Sequence, residues 1–294
     1  MLSVLKVGGS VLRDDASYAA TARFLRDRLA ERTDEQLVVI VSAEYGATDE
    51  LLAEAEAIVA DASEGRREPP RSEGPSAQRG GESERVPPSE VDKDALDLLW
   101  STGELRSVAR LALHLQRAGV RAIPFNVHQT GLVADRISGT TVRPLRLLAA
   151  LAASRIVIVP GFLGVSAGGT ITSLGRGGSD LTAVLLATAV RADACELIKD
   201  VPGYFTADPH RDAAARPIHD LSIEEALHMA DAGCDLVQRA ALAAAAHAGL
   251  HLVIRSMDAA APVTHVHESL SRKNRSKQYG VRHQDDSRRA ALRA

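Results

Sequence analysis

A chain of 294 residues that is 45% hydrophobic and 25% charged, with a formal net charge of −3, has the apolar material for one large soluble core. It lacks the basic excess of a nucleic-acid binder, any run near the ~18 apolar residues of a membrane span, and, with Cys195 and Cys234 alone, a disulfide framework. Met1 leads within two residues into a strand-like run, so a cytoplasmic protein with reduced thiols and small-molecule chemistry is expected.

In chain order, residues 3–7 read as a buried strand ending at Gly8-Gly9, residues 18–32 as an amphipathic helix, and residues 37–41 as a second, almost wholly apolar strand. Helices are expected over 49–62 and 93–118, a strand over 120–125, and a helix over 144–153 with Pro144 at its first position. Strands follow at 155–159 and 170–173, a helix at 180–192, a strand at 194–201, helices at 223–232 and 239–248, and a strand at 250–255. Continuous β-branched runs separated by helices predict an α/β fold, a three-layer αβα sandwich around a mostly parallel central sheet. Residues 63–91, rich in Glu, Arg, Ser, Gly and Pro, carry almost no apolar side chains and read as a disordered insertion. One domain over 1–268 and a charged, flexible tail over 269–294 are expected.

The stretch Leu174-Gly175-Arg176-Gly177-Gly178-Ser179-Asp180 places bare backbone, a guanidinium, a hydroxyl and a carboxylate before an apolar helix. Glycines let amides approach an anion, and a helix N-terminus adds positive potential. Ser179 and Asp180 are also ordinary N-cap residues, so a plain capped turn is the alternative. Three more glycine-containing turns follow strand candidates, at Gly8-Gly9-Ser10, 42–48 and 161–164. In an open parallel sheet, turns at the carboxyl ends of strands converge on one crevice. Neither G-x-G-x-x-G nor G-x-x-x-x-G-K-[ST] occurs.

Seven blocks, in order, resemble the aspartate kinase catalytic domain of the amino acid kinase (carbamate kinase-like) family. They are Leu5-Lys6-Val7-Gly8-Gly9-Ser10, Val41-Ser42-Ala43 with Thr48-Asp49-Glu50, Gly103-Glu104, Gln129-Thr130-Gly131, Gly161-Phe162-Leu163-Gly164, the stretch through Asp180, and Lys199-Asp200-Val201-Pro202-Gly203 with Thr206-Ala207-Asp208-Pro209. The resemblance implies ATP-dependent phosphorylation of the side-chain carboxylate of aspartate, with Mg²⁺ carried by ATP and no dedicated protein metal site. It implies Lys6 and Asp180 as catalytic residues. Ser42, Thr48, Glu104, Arg176 and Ser179 would bind the amino acid. Gly8, Gly9, Ser10, Gly177, Gly178, Lys199, Asp200, Phe205, Asp208, His210 and Asp235 would line the nucleotide. It also implies a homodimer, and no apolar segment after Arg255 matches the family's regulatory ACT domains.

The resemblance breaks on the nucleotide side. The lysine of the family's G-[AS]-K is Asp235, the tyrosine and arginine of V-Y-T-x-D-P-R are Phe205 and His210, and the threonine of T-D-V is Lys199. Gly46 and Leu105 stand where the family has a lysine and an arginine. Placing Asp235 by phosphates costs a few kcal/mol at an effective dielectric near ~20. Lys199, Arg211 and Arg239 are the cations that could restore the charge. The alternatives are a kinase for another small carboxylate or amino acid, and a silent ligand-binding paralogue. His265-Val266-His267-Glu268 could suggest a metal site, but two exposed histidines on one face of an extended segment are the better reading.

Overall fold

The computed structural model describes residues 1–64, 91–135, 139–175, 177–209 and 211–268. The first half runs β1 (Leu2–Val7), α1 (Asp15–Glu31), β2 (Gln36–Val41), α2 (Ala47–Glu64), α3 (Lys93–Arg117), β3 (Ile123–Pro124), β4 (Leu132–Asp135), β5 (Gly139–Val142) and α4 (Leu145–Ala153). The second half runs β6 (Ile156–Pro160), β7 (Leu163–Val165), β8 (Ile171–Ser173), α5 (Gly178–Val190), β9 (Ala194–Ile198), β10 (Asp220–Ser222), α6 (Ile223–Asp231), α7 (Arg239–Ala248), β11 (Leu252–Arg255) and β12 (Thr264–His267). Among these residues no helix is long and apolar enough to cross a membrane.

Eight strands form one sheet in the order β10-β12-β11-β9-β1-β2-β6-β3, parallel except between β11 and β12. The inner strands are apolar on both sides because both faces are covered. On one face Val4, Ile40, Val159 and Leu197 pack against Leu147 of α4, Leu186 of α5, Ala226 of α6 and Leu242 of α7. On the other, Leu5, Val39, Ile158 and Ile198 meet Tyr18 and Leu25 of α1 and Leu111 and Leu115 of α3. The three-layer αβα architecture is thereby established.

The register is what builds a site. Val7 lies opposite both Val41 and Ile198, and Val41 opposite Pro160. Four strands therefore end level, and the turns beginning at Gly8, Ser42, Gly161 and Lys199 emerge side by side.

Several expectations are corrected. A second, four-stranded sheet, β5-β4-β7-β8, accompanies the first, and only β8 was anticipated. The strand expected over 120–125 shrinks to Ile123–Pro124, because Val120 donates to Leu115 O at 2.8 Å and closes the end of α3. Pro144 is the N-cap of α4 rather than its first residue. Ser179 and Asp180 are not caps: α5 starts at Gly178 behind a left-handed Gly177, which puts both in its first turn. Of the proposed insertion, residues 65–90 lie outside the described residues, as do 136–138, 176, 210 and the tail 269–294.

At the opposite end of the strands Arg28 of α1 is buried between two carboxylates, bonding Glu35 at 2.8 and 2.7 Å and Glu196 at 2.9 and 2.7 Å. Ser3 Oγ donates to Glu35 at 2.6 Å. The cluster ties α1, the start of β2 and the middle of β9 together.

Candidate active site

Lys6 is the penultimate residue of β1 and 7% exposed. Its Nζ lies 2.9 Å from Oδ1 of Asp180, while Lys199 Nζ donates to Oδ2 of the same carboxylate at 2.8 Å. The backbone N–H of Gln238 adds a contact at 3.4 Å. Burial opposes ionisation of Asp180, but the two lysines overcome it and hold the carboxyl at about 2. Lys199 is depressed to about 8, by burial first and then by the charge on Lys6. Asp180 is also favoured by the positive end of α5.

Two glycines are required by contact. A Cβ on Gly9 would lie 2.6 Å from Ala43 O, so the turns after β1 and β2 touch backbone to backbone. A Cβ on Gly161 would lie 2.6 Å from Ser179 Oγ, which lets the start of α5 press against the end of β6. Ser10 Oγ donates to Asp200 at 3.0 Å and joins the first turn to the end of β9.

Glu104, on α3, is 3% exposed, and among the described residues its one hydrogen bond from another residue comes from Ala43 N at a long 3.4 Å. Among the described residues it has no ion pair. Burial pushes its carboxyl up to about 7. It shares a cavity of about 670 Å³ with Lys6, Ser42, Thr48, Gly177, Gly178 and Ser179. Seven sequence-derived candidates thus meet in one place, with Asp180 held beneath Lys6.

The same cavity contains residues that sequence reasoning missed. Asp97, Trp100 and Phe162 line it. Trp100 donates to Thr48 O at 3.2 Å and meets Phe162 edge-on at 5.5 Å, while Asp97 pairs with Lys93 and accepts from Ser173 N at 3.1 Å. The available signal was their spacing: positions 97, 100 and 104 recur on one face of a helix. Phe162 is held at φ 68°, unusual for a bulky residue, between β6 and β7.

The remaining nucleotide-side candidates do not line this cavity. Phe205 bridges to Pro217, Asp208 is exposed beside Arg211 at 3.4 Å, and Asp235 is exposed in the turn after α6. Arg211 is engaged by Asp208, and Arg239 by Asp231 at 2.5 Å, so neither is positioned as Lys199 is. Arg176 and His210 fall outside the described residues. His265 and His267 sit half-buried on β12, and the structure adds His251, whose Nε2 is 3.2 Å from His265 Nδ1. Among the described residues no group of three or more such side chains is set to hold a metal ion.

The model of the amino acid kinase family matches residues 1–256. Aspartokinase 2 of Bacillus subtilis (strain 168) is 33% identical over 261 residues, covering 87% of this chain and 57% of its own. Among solved structures, aspartate kinase from Synechocystis superposes with a TM-score of 0.71 at 29% identity, over 92% of this chain and 40% of that one. E. coli aspartokinase III in complex with aspartate and ADP superposes at 0.70 with 24% identity, over 92% and 66%, a likeness of fold. The chain spans about half the length of the curated relatives it matches.

Proposed function

The chain belongs to the amino acid kinase family, and from that premise we propose that it transfers the γ-phosphoryl group of ATP to the side-chain carboxylate of aspartate. The observation that carries this is the pairing, in one cavity, of a buried carboxylate without a cation among the described residues, Glu104, and a buried lysine beside glycine turns, Lys6. The first suits an ammonium group, the second a phosphate.

An aspartate carboxylate is ionised at neutral pH, so the reaction needs no general base. A bond forms between the carboxylate oxygen and the γ-phosphorus, and the bond to the β–γ bridging oxygen breaks, with ADP leaving with the electron pair. The difficulty is to bring two anions together in line, which is a matter of position and charge. Lys6 neutralises the transferring group, Asp180 fixes Lys6, and the turns at Gly8-Gly9 and Gly177-Gly178 complete the cradle. They do so with the amides of Gly9 and Gly177, those of Gly8 and Gly178 being bonded to Ile198 O and Gly175 O. Ser42, Thr48 and Ser179 orient the acceptor, with Arg176 as the proposed partner of its α-carboxylate. Asp200, Phe205, Asp208 and Asp235, together with His210 outside the described residues, are the further residues proposed for the nucleotide. Glycine turns, the α5 N-terminus and the lysine pair suit a polyphosphate, and Mg²⁺ carried on that polyphosphate would supply further positive charge. A homodimer in the cytoplasm completes the proposal.

With ATP, Mg²⁺ and aspartate, hydroxylamine should trap the acyl phosphate as a hydroxamate. No product at any enzyme concentration would sink the assignment. Glu104 adds a pH dependence. It binds an ammonium group only when ionised, so the KM for the acceptor should fall as pH rises through about 7. Glu104→Gln should raise KM and flatten that dependence, and an unchanged profile would remove Glu104 from the acceptor site.

A different small carboxylate or amino acid as acceptor is favoured by one feature, the apolar side of the cavity formed by Leu52, Leu96, Trp100 and Phe162. Aspartate has a single methylene to place there. A panel of carboxylates that releases ADP faster with a larger acceptor than with aspartate would establish it.

A further inference from the structure

We propose that Arg13 binds the donor's phosphates, as a guanidinium held at the junction of three turns by Ser10, Tyr45 and Asp200. The inference rests on the reading of the site as a phosphotransferase centre. It goes beyond that reading because it brings in a cation from outside both the glycine turns and the acceptor cavity.

Arg13 stands where the turns after β1, β2 and β9 meet. Its Nε donates to Ser10 O at 2.7 Å, a terminal nitrogen lies 3.8 Å from Asp200 Oδ2, and its Cζ sits 4.6 Å from the centre of the Tyr45 ring. The backbone fixes both partners of that stack. Arg13 N–H donates to Ser17 Oγ at 2.9 Å at the start of α1, and Tyr45 N–H donates to Leu12 O at 3.0 Å. Neither side chain fills a core, since Arg13 is 54% and Tyr45 64% exposed. A planar guanidinium laid on an aromatic ring is preorganised while its edge stays free.

The donors left over define the ligand. A guanidinium carries five N–H groups, and Ser10 O takes the one on Nε. Asp200 is half exposed and too far for a hydrogen bond to the terminal nitrogens, while its Oδ1 accepts from Ser10 Oγ at 3.0 Å. So open a pair contributes little, and a multiply charged oxyanion offers the fork more. The other nearby carboxylates are engaged: Asp14 accepts from Ser17 N at 2.8 Å, Asp15 meets His114 at 3.0 Å and Arg110 at 3.5 Å, and Glu44 pairs with Arg110. Gly8 connects the cluster to Lys6. A Cβ there would meet Lys6 Nζ at 3.3 Å and Ser10 Oγ at 3.6 Å, so the two groups flank the same bare backbone. A run of phosphates held at one end by Lys6 can pass Gly8 to reach Ser10 and Arg13, whereas a single carboxylate cannot span them. Residues 42–48 of the turn after β2 include no cation, and Arg13 supplies one through Tyr45.

Inorganic tripolyphosphate, titrated calorimetrically into the full chain and into Arg13→Met, is the probe. The variant should bind about tenfold more weakly, the low end for a lost charge-assisted contact because the group is half exposed. Raising the ionic strength should narrow the gap, since the contact is screened. With ATP, the same factor should appear in the KM for the nucleotide and not in the KM for the acceptor, whose cavity Arg13 does not line. A second measurement needs no variant, so the test survives if Arg13→Met fails to fold. Tripolyphosphate should protect Arg13 of the unaltered chain from phenylglyoxal, read by peptide mass, while the exposed Arg26, more than three turns further along α1, stays reactive. Equal affinity in wild type and a folded Arg13→Met, or an unprotected Arg13, would overturn the proposal and leave Arg13 as a surface partner of Asp200. Either result together with hydroxamate formation would leave the aspartate kinase assignment standing without Arg13. Arg13-dependent tripolyphosphate binding without acyl phosphate formation would support the proposal while removing that assignment.

Discussion

Lys6→Met is expected to lower the rate of phosphoryl transfer by about 10²- to 10³-fold, the range seen when one preorganised charge-stabilising donor is removed. Methionine keeps the length and most of the volume of the side chain, which is 8% exposed between β1 and α5. Packing should therefore survive. Asp180 would keep Lys199 at 2.8 Å, so no bare carboxylate is left and the fold should lose little stability. The informative pattern is a large fall in kcat with a small change in the KM for the acceptor, because a charge acting on the transferring group is felt most in the transition state. Single-turnover formation of the hydroxamate, alongside thermal melting, makes the measurement. A folded Lys6→Met with turnover within about tenfold of wild type would show that Lys6 serves only to neutralise Asp180, and the mechanism would have to start elsewhere.

How much of this was legible in the sequence depended on length of signal. Runs such as Leu37–Val41 and Ile156–Pro160 are apolar without a break, and a strand buried on both faces has no other appearance. β4, β5 and β7 are three or four residues long and only partly apolar, too short for a period to be read, and the second sheet they form was invisible. β12 was obscured because its buried positions include Thr264 and its outward ones are His265 and His267. In the site, Lys6 and Asp180 were recognisable from the turns they flank. Their pairing is what the resemblance implies, a carboxylate that orients the catalytic lysine, but its geometry depends on α5 starting at Gly178 and on β1 carrying Lys6 toward that helix. Lys199 could be named from its motif, but its sharing of Asp180 follows from the β1–β9 register, which no local pattern encodes. Asp97 and Trp100 show the converse: their spacing with Glu104 was present, but nothing local said which face of α3 looks into the cavity.

Arg28→Met is expected to cost about 3–5 kcal/mol of stability, the usual penalty for removing one partner from a buried ion cluster. Glu35 is inaccessible to solvent and Glu196 nearly so, and in the variant both would face apolar neighbours and each other. Arg32, 3.5 Å from Glu35, is half exposed, and Arg255 lies 3.9 Å from Glu196, so neither replaces the paired guanidinium bonds. The dependence on pH separates this from a simple packing defect. In the native protein burial would raise the Glu35 carboxyl, but Arg28 and the Ser3 hydroxyl hold it below its ordinary value of about 4.5. Its contribution is therefore present above that value and lost as pH falls through the depressed one. Without Arg28 the carboxyl should shift upward instead. Stability would then be greatest at low pH and decline as pH rises from about 4.5 through the raised value, the reverse slope. Urea unfolding at pH 5 and pH 7 reads both effects at once. A loss below about 1 kcal/mol at pH 7, or a native-like slope between the two pH values, would mean that water or Arg255 reaches the carboxylates, and that the cluster contributes little beyond an exposed ion pair.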